Sequence, residues 1–315
     1  EVNPKLAGVL ACAEKIREVK PDLLIAVGGG SAMDVAKLAN WFASEEGVAD
    51  AFLADESSEI ECRLPLVAVP TTAGSGAEAT HFAVVYVDGV KKSAAHVSMR
   101  PVAAVVDPQL TERLPSTITA HSGLDALCQS IESIWSVQAN EESLGYATEA
   151  LELIWNHLEQ AVNQPTPESR AAMARGSHLA GQAINITKTT LPHALSYSIT
   201  TRHGVPHGVA VTLTLGPALI YNEAVSDADC ADPRGPDSVR ERIDSICRII
   251  GEASAQECAA QLKSLLGSIG CPATLREAGI TNENQLKLIC QDVNVERLSN
   301  NPRRISEQEI LNLLR

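Results

Sequence analysis

At 315 residues, with 45% hydrophobic and 20% charged side chains, the chain is long enough for two domains with cores of their own and belongs among globular rather than disordered or fibrous proteins. Its 39 acidic against 25 basic residues give a formal charge of −14, which repels phosphate backbones and anionic lipid and sets nucleic acid aside as a partner. The 8 cysteines contain no C-x-x-C pair and read as reduced thiols, no apolar run reaches membrane-spanning length, and EVNPKLAG has no secretory pattern, so a cytoplasmic protein with no membrane partner is expected.

Pro21 and Asp22 end a helical segment, and LLIAV at 23–27 is a short continuous apolar run of the kind expected of a fully buried parallel strand. Gly28, Gly29, Gly30 and Ser31 follow it, and then the helical pattern AMDVAKLANWFA. A strand feeding a glycine turn and a helix N-terminus is an anion site, because unpaired N–H groups and the positive end of the helix dipole point at the loop. Glycine is needed there so that no Cβ obstructs a pyrophosphate. As a plain turn, the same residues make Ser31 the N-cap and Asp34 its first-turn acid. The stretch is neither G-x-G-x-x-G nor a Walker loop. A second strand, LVAVP at 66–70, runs into TTAGSGAEAT, where Thr71, Thr72 and Ser75 offer hydroxyls, with a helix expected after them. Two such loops would face one another across the ends of parallel strands, where open α/β sheets bind ligands. FAVVYVDG reads as a strand entering a turn at Asp88-Gly89 and VAAVVDP at 102–108 as another, with Lys91, Lys92 and Arg100 between them as solvated cations.

From about Leu110 the strand signals stop. In HSGLDALCQSIE, Asp125 and Gln129 stand i, i+4 and project from one helix face. Asn140 caps an amphipathic helix whose Leu144, Ala147, Leu151, Ile154, Leu158 and Val162 repeat every third or fourth residue up to Pro165. Further helical patterns cover about 168–185, 189–200, 208–221, 238–251, 255–269 and 306–314. Within KTTLPHALSYSITTRHGVPHG, His193 opens an apolar helical run and His207 sits on the turn between Pro206 and Gly208. Taken singly, each of these residues reads as a turn or cap residue. Taken together, Asp125, Gln129, His193 and His207 supply a carboxylate, an amide oxygen and two imidazoles, a set that suits Fe(II) or Zn(II). The expected architecture is α/β plus all-α: an N-terminal parallel-sheet domain carrying the phosphate loops over 1–109, an all-helical domain carrying the metal candidates over 110–315, and the site in the cleft between them.

GGGSAMDVAK at 28–37, PTTAGSGAE at 70–78, Gly123-Leu124-Asp125-Ala126-Leu127 and Pro206-His207-Gly208, in that order, resemble the iron-containing (group III) alcohol dehydrogenases over nearly the whole chain. The resemblance implies a dinucleotide-binding domain over 1–109, a helical metal and substrate domain over 110–315, and reversible hydride transfer between NAD(H) or NADP(H) and an aldehyde–alcohol pair, in a homo-oligomeric enzyme. It places Gly28, Gly29, Gly30 and Ser31 at the pyrophosphate with Asp34 at that helix start, and Thr71, Thr72 and Ser75 along the cofactor. It places Lys92 near the nicotinamide ribose, and Asp125, His193 and His207 on the metal. Two positions depart from the common pattern. Gln129 stands where a ligand His is usual, and Tyr197 stands where a proton-relaying His is usual, so that Tyr197, a water or the cofactor ribose would return the proton beside His193.

Gln129 together with the 188–208 stretch is similar to the phosphonoacetaldehyde reductase subgroup, which implies conversion of phosphonoacetaldehyde to 2-hydroxyethylphosphonate in phosphonate biosynthesis. Lys188, Arg202 and His203 would then be the partners of a dianionic phosphonate in an otherwise acidic chain. The resemblance also implies a strand–helix–strand portion ahead of Asn3-Pro4, so the first domain reads as incomplete, without the part expected to separate NAD from NADP. A general short-chain alcohol or aldehyde dehydrogenase, a non-catalytic nucleotide-binding relic of the family, and a lyase or cyclase like dehydroquinate synthase are competing readings. The relic would hold no stoichiometric metal, and the lyase would leave the cofactor's oxidation state unchanged.

Overall fold

The computed structural model describes residues 4–54, 56 and 59–315; Asn3 of the Asn3-Pro4 dipeptide lies outside the described residues. The chain opens with α1 (Leu6–Val19), β1 (Leu24–Gly28), α2 (Gly30–Ser44) and α3 (Val48–Leu53), followed by β2 (Leu66–Pro70). β1 and β2 run parallel with Leu24 opposite Leu66 and Gly28 opposite Pro70. Proline has no N–H to continue the ladder, and the next donor, the N–H of Thr71, turns back onto the Gly28 carbonyl at 2.9 Å, tying the two loops together. β3 (Phe82–Val87) and β4 (Val90–Ala95) form an antiparallel hairpin through Asp88-Gly89, and β5 (Ala103–Ala104) completes the order β1-β2-β5.

Four details differ from the sequence expectation. Residues 71–80 form bends and turns and no helix, and of the 102–108 stretch Ala103 and Ala104 alone are strand, flanked by N–H bonds from Val102 and Val105 to the Leu66 and Ala68 carbonyls of β2. β1 is covered on one face only: Ala26 is buried, whereas Ile25 and Val27 are exposed, as are Val102 and Val105 beside β5. The N-cap of α2 is Gly29 rather than Ser31, which already lies within the helix.

Beyond residue 115 the chain is built from helices: α4 (Ser116–Trp135), α5 (Glu141–Asn163), α6 (Pro167–Thr187), α7 (Leu191–His203), α8 (His207–Glu223), α9 (Pro236–Ile250), α10 (Ala255–Ser268), α11 (Glu283–Gln291), α12 (Val295–Leu298) and α13 (Glu307–Leu314). α11 is not among the expected helices, although Asn282 and Gln285 form its capping box, and the four-residue α12 is too short to show a helical period. α5 begins with a reciprocal capping box between Asn140 and Ser143, and its Ala147, Leu151, Ile154 and Leu158 are fully buried. The helices share one apolar core around Leu124, Leu127, Ile131, Trp135 and Leu195; a second core joins α1, α2 and the hairpin through Val9, Leu38, Phe42 and Val85. Among the described residues no helix is long and apolar enough to cross a membrane.

Two close approaches position the loop after β2 and the start of α8. Gly76, at φ +60°, lies against Gly181 of α6, where a Cβ on Gly76 would come within 2.3 Å of the Gly181 Cα. Gly208, in the first turn of α8, packs on α4 so tightly that a Cβ would stand 2.0 Å from the His121 carbonyl oxygen. Gly208→Ala is therefore expected to lower unfolding stability by about 2–3 kcal/mol through overpacking. Gly145→Ala, on the exposed side of α5 with open space around it, should raise stability by about 0.5–1 kcal/mol. Urea titrations of the two variants against the parent check both signs.

Candidate metal and cofactor site

A cavity of about 610 Å³ opens between the two cores, with Gly30, Ser31, Asp34, Thr72 and Ser75 on one wall and Asp125, Gln129, His193, Tyr197 and His207 on the other. On the first wall, Gly29 gives α2 no side-chain cap, and the first backbone bonds onto the Gly29 carbonyl come from Ala32 and Met33. The N–H groups of Gly30 and Ser31 are thus left for an anion in the cavity. Gly28, Gly29 and Thr71 do not line the cavity; they form the turn behind it. Asp34 is no first-turn acid. Burial pushes its carboxyl up to about 6 against the opposing charge of Lys37, whose ammonium donates to Thr80 Oγ1 and the Phe82 carbonyl at 3.0 Å each.

On the second wall, α4 supplies Asp125 and Gln129, the first turn of α7 supplies His193 and the first residue of α8 is His207. Asp125 Oδ1 lies 3.3 Å from His193 Nε2 and 3.9 Å from His207 Nε2, and one ligand atom from each of the three falls within 4.8 Å of the others. Gln129 Nε2 donates to the Ser75 carbonyl at 3.4 Å, which leaves its Oε1 buried without a hydrogen-bond partner. An unpartnered buried carbonyl oxygen beside a carboxylate and two imidazoles is the donor set a divalent cation satisfies, so these four residues fit a metal.

His193 is oriented from behind. Its Nδ1 hydrogen-bonds Glu132, a fully buried carboxylate that also accepts from the Thr190 N–H and hydroxyl at 2.8 Å each. This is the carboxylate–imidazole arrangement that fixes a ligand's tautomer and ring plane. Burial opposes the imidazolium, but Glu132 and Asp125 together raise the His193 pKa to about 10; the same negative field favours a cation. His207 behaves oppositely: burial, then the charge of Lys91, takes it down to about 3, so its imidazole is neutral and free to ligate. Asp125 resists burial because His193, His207 and Lys91 hold its carboxyl below the usual range.

Lys92 is not at the cavity, and Lys91 is. In the hairpin, Lys91 pairs with Tyr86 and Lys92 with Val85, and alternation puts Val84, Tyr86, Lys91 and Ser93 on the cavity face. Lys92 points the other way and donates to the Leu53 carbonyl at 3.1 Å. Lys91 Nζ stands 4.0 Å over the Tyr197 ring, which stacks on His207 with centroids 6.3 Å apart. The expected phosphonate partners also lie elsewhere: Lys188 is paired with Glu296 at 2.9 Å, Arg202 is paired with Asp292, and His203 is not among the cavity residues. Lys188 and Arg202, at the ends of α6 and α7, are thus each held by a carboxylate from the C-terminal part of the chain.

Glu132 and Arg297 also belong to the site and are not among the residues expected from the sequence. Glu132 follows Asp125 and Gln129 at i+7 on the same helix face, a spacing that could have found it. Arg297, on the four-residue α12, gives no such signal.

Residues 1–108 match the family described as iron-containing alcohol dehydrogenase, and residues 119–315 match the Fe-containing alcohol dehydrogenase family, C-terminal. The chain belongs to the iron-containing alcohol dehydrogenase family. Within it, the chain is 36% identical over 315 residues to a phosphonoacetaldehyde reductase of Streptomyces viridochromogenes, covering 97% of this chain and 78% of that protein. It is 34% identical over 280 residues to long-chain-alcohol dehydrogenase 1 of Geobacillus thermodenitrificans, covering 88% and 69%. Among solved structures it is similar to sulfoacetaldehyde reductase of Bifidobacterium kashiwanohense in complex with NAD+, with a TM-score of 0.87 and 31% identity over 100% of this chain and 81% of that one. The chain is thus an oxidoreductase of this family, with a family fold of a dinucleotide-binding part and a helical part.

Three substitutions at two positions test the site by calorimetric titration with Fe(II) under anaerobic conditions or with Zn(II). Gln129→Leu should lose metal affinity and Gln129→His retain or tighten it; unchanged binding in the Leu variant removes Gln129 from the site. Glu132→Gln, which touches no metal itself, should weaken binding by about 10–100-fold through misorientation of His193.

Proposed function

We propose that this chain reduces phosphonoacetaldehyde to 2-hydroxyethylphosphonate with a reduced nicotinamide, and that NAD(H) and Fe(II) are its cofactors. The observation that carries the aldehyde reduction is the convergence of Asp125, His193, His207 and the unpartnered Gln129 oxygen in the same cavity as the uncapped first turn of α2. The choice of substrate is supported by the phosphonoacetaldehyde and sulfoacetaldehyde reductases among its relatives, both named for two-carbon aldehydes that end in a tetrahedral anion. The NAD+ in the latter supports the cofactor.

Asp125, Gln129, His193 and His207 would hold a divalent ion that would supply Lewis acidity, and a bound reduced nicotinamide would supply hydride. The chain's own residues do the rest. The N–H groups of Gly30 and Ser31, with the hydroxyls of Thr72 and Ser75, bind the cofactor's phosphates along the first wall. Glu132 holds the His193 ring so that its Nε2 faces Asp125. Tyr197 Oη is the proton source for the product alcohol. Burial works against its ionisation, yet Lys91, Arg297 and His193 bring the phenol below its ordinary value, closer to the operating pH at which a general acid works best.

Loss of reduced-nicotinamide absorbance, followed with NADH and NADPH on the metal-loaded chain, tests this reading. The kcat/KM for phosphonoacetaldehyde should exceed that for propanal or lactaldehyde by about a hundredfold, from hydrogen bonds to a charged group at about 1.5–3 kcal/mol each. Tyr197→Phe should lower kcat by about 10²–10⁴-fold. Equal turnover of all three aldehydes would discard the phosphonate and keep the reduction; bound cofactor with no turnover of any would discard both.

A further inference from the structure

A substrate with a tetrahedral anion needs a cation whose charge is not already spent, and the cations at the ends of α6 and α7 do not qualify. Lys188 is held by Glu296 at 2.9 Å and Arg202 by Asp292. Arg297 differs from both. It is 7% exposed and lines the cavity with Tyr197 and Lys91, and among the described residues it makes no ion pair with a carboxylate. Glu296, its neighbour in sequence, is committed to Lys188.

The residue is held in place from behind. The N–H of Arg297 donates to Asn294 Oδ1 at 2.9 Å, which fixes the short turn of α12, and its guanidinium carbon stands 5.5 Å from the centroid of the Phe82 ring. The two carboxylates that share the cavity are otherwise engaged, Asp125 with His193 and Asp34 with the charge of Lys37. A guanidinium buried without a counter-anion is costly, and its planar fork of donors matches two oxygens of a phosphonate or sulfonate. Tyr197 lies between this cation and the metal ligands: its ring stacks on His207, Lys91 stands over it, and Arg297 faces its hydroxyl. A carbonyl at the His207 end of that row therefore directs the far end of a short substrate toward Arg297.

We infer that Arg297, assisted by Lys91, is the receptor for the tetrahedral oxyanion of the substrate and sets the preference of this chain for short aldehydes ending in a phosphonate or sulfonate. The inference rests on the aldehyde-reductase reading for its kinetic arm and is independent of it for its binding arm. In the kinetic arm, Arg297→Met should lose kcat/KM for phosphonoacetaldehyde or sulfoacetaldehyde by about thirtyfold more than for propanal, and Arg297→Lys, which keeps the charge but not the fork, should recover part of the difference. Equal losses on charged and neutral aldehydes would make Arg297 a support for Tyr197 and overturn the assignment.

In the binding arm, calorimetry on the full chain uses ethylphosphonate and ethanesulfonate, neither of which has a carbonyl to reduce. Whichever anion the parent binds more tightly names the source, and Arg297→Met should lose that binding while its thermal melt stays cooperative. Failure of the parent to bind either anion, anion binding unchanged in Arg297→Met, or NADH binding that falls as far as anion binding, each overturns the proposal. A parent that binds the anions but turns over no aldehyde would sink the reductase reading and leave the Arg297 site standing.

Discussion

The carboxylate of Glu132 is the constraint around which the second half of the chain is arranged. It is fully buried within α4, where an uncompensated charge would cost several kcal/mol. Among the described residues, compensation comes from Thr190, in the break between α6 and α7, and from His193 in the first turn of α7. The chain leaves α6 through Lys188 at φ +55°, and Thr190 and His193 then turn their donors back onto the acid. The Thr190 hydroxyl is itself held by the Trp135 indole N–H at 2.8 Å. The start of α7 is thus set by what Glu132 requires, and the Nε2 face of His193 toward Asp125 follows from it. A break in the helical run that looks like a loop is a hydrogen-bonding solution for one acid.

The same separation of local from global charge governs the cavity. The chain as a whole is strongly acidic, but its charges act at a distance through water and salt, where they are screened within about 10 Å. Inside the cleft, Lys91 depresses the basicity of His207 and, with Arg297, the pKa of Tyr197. Net charge therefore speaks to nucleic acid and membrane surfaces and says little about the sign of a small-molecule site a few ångströms across.

What the sequence discloses depends on whether a residue's role is periodic. Asp125 and Gln129 are legible because helical spacing assigns them a common face, and the glycine turn after β1 is legible because an apolar run, three glycines and a helical pattern follow one another. Lys91 and Lys92 are adjacent and chemically alike, and the choice between them turns on which face of a hairpin meets the cavity, a tertiary fact. Lys188 and Arg202 fail as anion partners for a similar reason: Glu296 and Asp292, which neutralise them, come from about a hundred residues further along the chain. Arg297 has no pattern at all, since its burial is conferred by packing on Phe82 and not by its own four-residue helix.

The contact between Gly76 and Gly181 bears on how the two cores can move. With no side chain on either residue, loop backbone rests on helix backbone, and neither surface can yield. The same loop meets the helical part again where Gly74 lies against the Ser122 backbone and where the His81 N–H donates to Asn185 Oδ1 at 2.9 Å. The wall that carries Thr72 and Ser75 is therefore pinned at several points, and the distance between that wall and the metal ligands is set by backbone contact and not by side chains that could repack.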